Sequence, residues 1–169
     1  MHVARLALCA LLMLPWLAYA AEDSPEVPAQ LSGFPEGSVT IMRAGGSDRF
    51  RVWTADTEAR REQGLMFVRH MPGDRGMWFP QSVTGVAVLW MKNTYLPLDM
   101  VFIGENGVIV GIVANTTPLS SNIIASPGPV TAVLELNAGE TARRGIRTGD
   151  HVTVERRDDA SPQPRQPFR

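Results

Sequence analysis

Apolar and polar residues alternate with a period of two along much of the chain, and that period predicts strands. Val39-Thr40-Ile41-Met42 and Phe50-Arg51-Val52-Trp53 flank Ala44-Gly45-Gly46-Ser47-Asp48, which predicts a hairpin. Asp56 or Thr57 then caps a short helix over residues 58–63, and Gly64 stops it. Leu65-Met66-Phe67 resumes the apolar chain, and the turn residues of 71–76 lead into Met77-Trp78-Phe79. Residues 85–91 are apolar at almost every position, which predicts a strand covered on both faces.

A strand is expected over 99–103, a tight turn at Glu105-Asn106-Gly107, and a return strand over 108–113. Residues 114–129 read as a long loop rich in Asn, Thr, Ser and Pro, a type of segment that often carries function. Another strand covers 131–136. Asn137 and Glu140 have the spacing of a capping box, and Gly145 ends that short helical turn. The last strand, 151–155, alternates cleanly, so one of its faces should be wet. Strands this short and numerous, with one or two short helices, predict a mainly β fold: a jelly-roll-like β-sandwich or an irregular barrel. An α/β sheet would need several crossover helices, and the pattern supplies none.

Composition then divides the chain. Arg5, the apolar run from Leu6 to Leu17 and Ala18-Tyr19-Ala20 form a secretory signal pattern over residues 1–20, with cleavage expected after Ala20. The run is shorter than the ~20 residues of a membrane-spanning helix, and Pro15 interrupts it. No later stretch is long and apolar enough to span a membrane, so the mature protein is expected in the periplasm or secreted. Residues 21–37, rich in Pro, Gly and acidic residues, read as a flexible linker. The folded domain is expected over 38–157, with a disordered tail at 158–169.

The single cysteine, Cys9, falls in the signal, which leaves the mature chain without thiol or disulfide chemistry. Loss of Arg5 leaves 15 basic against 17 acidic residues, and a near-neutral chain without a basic cluster argues against a nucleic-acid partner.

Several strings share an order and spacing with one known family. They are Thr54-Ala55-Asp56-Thr57 with Arg60 and Gly64-Leu65-Met66; Gly76-Met77-Trp78-Phe79; Trp90-Met91-Lys92-Asn93-Thr94 with Pro97-Leu98-Asp99-Met100; Val133-Leu134-Glu135-Leu136; and Gly145-Ile146 with Gly149-Asp150. Together they resemble the bacterial and archaeal family called domain of unknown function 192. The resemblance implies an all-β fold of jelly-roll type, often behind a signal peptide, with no agreed activity and no catalytic residue to carry over. The chain departs from the family pattern at Leu119-Ser120-Ser121-Asn122-Ile123-Ile124, where many relatives carry prolines, cysteines or an aromatic residue.

Period-two geometry places Val86, Val88, Trp90 and Lys92 on one face and Ala87, Leu89, Met91 and Asn93 on the other. Asp99 shares a face with Val101 and Ile103, and Glu135 with Thr131 and Val133. Charges bordering apolar faces need partners. Three readings are open. Lys92, Asp99 and Glu135 form a structural ion-pair cluster. Alternatively, Lys92 and Asn93 hold a small polar or anionic ligand, or a segment of an envelope protein, with Trp90 as an apolar wall and Arg60 as an anion clamp. The third is hydrolase or lyase chemistry by Lys92 with Asp99 or Glu135.

His70, Met71 and Met77 are candidate ligands for Cu(I), although methionine is also an ordinary core filler. His70 and His151 are the only histidines after the signal, too few for a zinc site. No G-x-S-x-G elbow accompanies the loop serines, and Gly45-Gly46 lacks the context of a phosphate loop. No cofactor is expected.

Overall fold

Strands dominate the chain, as its alternation requires. The computed structural model describes residues 28–156. The expected signal peptide, residues 21–27 of the expected linker and the expected tail lie outside the described residues.

The expected hairpin pairs β1 (Glu36–Arg43) with β2 (Gly46–Thr54). Helix α1 (Glu58–Gln63) follows, capped by the Thr57 hydroxyl, which accepts from the Arg60 amide at 3.3 Å. The chain then returns as β3 (Arg75–Leu89), parallel to β2. β4 (Leu98–Ile103) and β5 (Ile109–Val113) are antiparallel across the 105–107 turn, where Asn106 and Gly107 both take positive φ. β6 (Ile124–Asn137) lies between β4 and β3, antiparallel to both. Helix α2 (Glu140–Arg144) leads to β7 (His151–Arg156), which pairs with β1. The strand order is β5-β4-β6-β3-β2-β1-β7.

The sheet curls until its two ends meet. Val108 bridges His151; the Ile109 amide donates to the Asp150 carbonyl, and the Gly149 amide to the Ile109 carbonyl, each at 2.9 Å. The expectation of an irregular barrel therefore holds, as a curled seven-stranded sheet with two short α-helices.

Alternation along the strands gives the sheet two apolar faces and so two cores. The inner core draws on all seven strands, with Val39, Phe50, Trp78, Val101, Ile109, Leu134 and Val152 among its members. The outer core takes the alternate residues of β2, β3, β4 and β6, including Trp53, Met77, Phe79, Met100, Phe102 and Val133. Leu31, Ala55, Leu65, Val68, Met71 and Met91, from the connecting segments, cover it.

Four expectations need correction. The stretch 85–91 is not covered on both faces: Ala87 and Met91 are buried, but Val86, Val88 and Trp90 are more than half exposed. Here β3 runs past its neighbours and pairs only with the start of β6, through register shifts around 80–85 and 86–88. The long loop is shorter than expected, because β6 begins at Ile124. The described part of the expected linker packs on the domain, with Leu31 buried and the Thr54 amide donating to the Pro35 carbonyl at 2.8 Å. No capping box forms at Asn137, whose amide nitrogen donates to the Met71 carbonyl at 2.7 Å. Gly139 is the N-cap of α2 instead, and a carboxylate from β4 completes the cap.

Candidate functional site

The outer face of β3 and β6 does not fill completely. α1, the 64–66 segment and the end of β3 stand around an open cavity of about 360 Å³. Its walls include Leu65, Met66, Phe79, Val88 and Trp90, with Gln81 and Thr94 adding polar groups. Glu58, Arg61 and Glu62 of α1 line it as well.

Glu135 is the ionisable group in this wall that comes from a central strand. In register it sits between Met77 of β3 and Met100 of β4, both fully buried. Only 5% of Glu135 is exposed, and its carboxyl makes no hydrogen bond or ion pair among the described residues. Burial alone pushes its carboxyl up to about 8, so it carries a proton at neutral pH. Gly76, aligned with Leu136, keeps the strands in contact here: a Cβ at Gly76 would stand 2.6 Å from the Glu135 carbonyl oxygen.

The Trp90–Thr94 string forms one side of the mouth. Asn93 takes φ 57° and Phe67 φ 64°, and the Phe67 amide donates to the Asn93 carbonyl at 2.9 Å. The Asn93 side-chain nitrogen approaches the Met66 sulfur at 3.8 Å, which ties this turn to the segment across the cavity. Behind it, the Met91 amide donates to the Ser120 carbonyl and the Leu119 amide to the Thr94 carbonyl, each at 3.0 Å. Asn93 and Met91 thus hold the wall in place, while Trp90, 52% exposed, lines the cavity there.

The ion-pair cluster expected from sequence does not form. Lys92 is exposed, its Nζ 5.9 Å from the Trp90 ring centroid, and it pairs with no carboxylate among the described residues. Asp99 is fully buried and accepts from the Asn115 amide (2.9 Å), the Gly139 amide (3.1 Å), the Thr141 amide (3.0 Å) and the Thr141 hydroxyl (2.6 Å). That carboxylate is the remote cap of α2. It faces the inner core with Val101 and Ile103, whereas Glu135 faces the outer one with Val133 and Met100. Period-two geometry anticipates the two faces; the curled sheet puts a wall between them.

Arg60 is also occupied elsewhere. It pairs with Asp56 at 2.6 Å, donates to the Gly33 carbonyl at 2.8 Å and lies 5.8 Å from the Phe34 ring centroid. Its work is to tie the segment before β1 onto α1, away from Lys92. Of the Cu(I) candidates, Met71 and Met77 are buried in the outer core and His70 is exposed. Among the described residues no group of three or more His, Cys, Asp or Glu side chains is placed to hold a metal ion. Trp90 and Glu135 are the two sequence candidates that meet, at the same cavity. Phe79, Met66 and the α1 carboxyls were missed, because nothing in a strand-like run or a solvated helix announces a shared void.

The family model DUF192, described as an uncharacterized ACR, matches residues 40–154. No curated protein matches. Among solved structures, a candidate transcription regulator from Sinorhizobium meliloti 1021 is 43% identical, with a TM-score of 0.70 over 72% of this chain and 95% of that one. A protein of unknown function from Novosphingobium aromaticivorans DSM 12444 is 34% identical, with a TM-score of 0.69 over 76% of this chain and 98% of the other. Both likenesses span nearly the whole of the relatives, and the family match covers every strand of the curled sheet at least in part. The chain belongs to the family called domain of unknown function 192.

Proposed function

We propose that this domain is a binding module of the bacterial envelope that takes a small, partly apolar ligand with a hydrogen-bonding head into the Glu135 cavity. One observation carries the reading: a buried carboxyl, without a partner among the described residues, opens onto a void of about 360 Å³. Burying a polar group without a partner costs on the order of 1–3 kcal/mol, and a ligand that supplies the partner recovers that cost. The volume falls in the range of ligand pockets, roughly 300–1,000 Å³, and apolar walls around a few polar groups are their usual composition. Export is part of the proposal and rests on the signal pattern of residues 1–20; mass spectrometry of the secreted form should find Ala21 at its N-terminus, and an intact Met1 would refute it.

A second reading keeps the same residue but makes it a general acid, since a carboxyl that holds its proton near neutrality is suited to that work. Asp99, the carboxylate considered beside Lys92, faces the opposite side of the sheet, which supports binding over acid–base chemistry by a pair. A formal net charge of −1 and an acid-rich cavity favour no phosphate backbone.

The test is amide NMR on the full chain, titrated separately with benzylammonium, benzyl alcohol and benzoate. Saturable shifts at Leu65, Phe79, Val88 and Glu135 with any of the three are expected. If none produces a saturable shift there, the binding reading fails.

A further inference from the structure

The head group that this cavity accepts can be narrowed from its charges. We propose that the Glu135 cavity selects a primary or secondary organic ammonium ion on a short apolar stem, an inference that rests on the binding reading above and deepens it.

Among the described residues the charged lining of the empty site is Glu58 and Glu62 against Arg61, and Glu135 becomes a third anion once it gives up its proton, so the field inside favours a cation. Arg61 is also partly engaged, donating to the Asp56 carbonyl at 3.0 Å. The walls suit an ammonium as well. Phe79 and Trp90 line the cavity, and an aromatic ring attracts a cation most strongly when it is shielded from water. Lys92 already shows the preference outside, its ammonium lying 5.9 Å from the Trp90 ring centroid.

The head must donate hydrogen bonds. No described donor reaches the Glu135 oxygens, so their lone pairs are open to hydrogen bonds that an alcohol or a primary amine can supply and a quaternary ammonium cannot. Between those two, the ammonium adds charge. A hydrogen bond to an ionised carboxylate is roughly twice as strong as a neutral one. The stem then rests on Leu65, Met66 and Val88, apolar surface that a fully solvated polyamine would not cover.

Proton accounting follows. The empty site holds a proton on Glu135 at neutral pH, because burial raises the carboxyl to about 8. An arriving ammonium requires the carboxylate, so that proton passes to the buffer while the amine keeps its own. The other charged groups that face the site are Glu58, Glu62 and Arg61, all on α1. From β4, Asp99 points to the other side of the sheet, and Lys92 lies outside the lining.

Calorimetric titration of the full chain with benzylammonium, benzyl alcohol, benzoate and tetramethylammonium, in buffers of different ionisation enthalpy, decides the matter. Benzylammonium should bind tighter than each of the other three by about tenfold or more and release about one proton at pH 6 to 7. Its affinity should rise with pH up to the carboxyl's own midpoint. Glu135→Gln, which keeps the shape of the protonated acid, should abolish both the preference and the proton release while still taking up benzyl alcohol. Equal binding of the alcohol or benzoate, uptake of the amine without proton release, or an unchanged preference in Glu135→Gln would overturn the ammonium proposal and leave the binding reading standing. Failure of all the probes to bind would remove both.

Discussion

Asp99 and Glu135 sit on adjacent strands one register step apart, yet their carboxyls face opposite sides of the sheet. The first is held by four hydrogen bonds and the second by none among the described residues. Two buried acids in one fold thus have separate physical roles. Replacing Asp99 by Ala should cost about 3 kcal/mol or more, because the Asn115, Gly139 and Thr141 amides lose their acceptor together. Chemical denaturation measures this, and a loss within the range of an ordinary surface substitution would mean that the carboxylate is not what caps α2.

Glu135 should make the fold more stable in acid than in mild base. Its carboxyl moves from the usual 4.5 to about 8 on folding, so between those values the folded state binds more protons than the unfolded one. Stability is therefore fully present below about pH 4.5 and is lost as pH rises towards 8, by up to about 1.4 kcal/mol per pH unit. Glu135→Gln should flatten this slope. Denaturation curves of both proteins across that range would show it, and parallel pH profiles would contradict a buried, protonated acid.

Lys92→Met should change stability by no more than about 0.5 kcal/mol, the range of surface substitutions, because the ammonium is exposed and pairs with no carboxylate among the described residues. A loss of several kcal/mol would instead restore the ion-pair cluster that the sequence suggested. Thermal and urea unfolding of the variant are sufficient.

Gly107→Ala should loosen the closure of the sheet. Gly107 has φ +75°, and a Cβ there would lie 2.4 Å from the Val152 carbonyl oxygen, where β7 meets the turn before β5. Backbone must move to admit it, at a cost of about 1–3 kcal/mol. Hydrogen exchange should quicken first at the Ile109 and Gly149 amides, which bond across the seam. Unchanged protection of both would show that the seam does not depend on this glycine.

The sequence by itself determined most of the strands, the alternation of side chains between their two faces, an α1 cap at Asp56 or Thr57 with a stop at Gly64, and the family, because these depend on period, local turn chemistry and residue identity. It also marked Trp90 and Glu135. It misread what surrounds them. Apolar residues at almost every position of 85–91 look the same whether a neighbour covers them or a cavity does. Only the curl of the sheet put Asp99 behind a wall from Glu135, moved Lys92 out to solvent and brought α1 over the gap between β3 and the 64–66 segment. Period fixes the side of a strand on which a residue lies. What stands opposite it is decided by contacts between segments far apart in the chain, and the empty space at Glu135 is a product of those contacts.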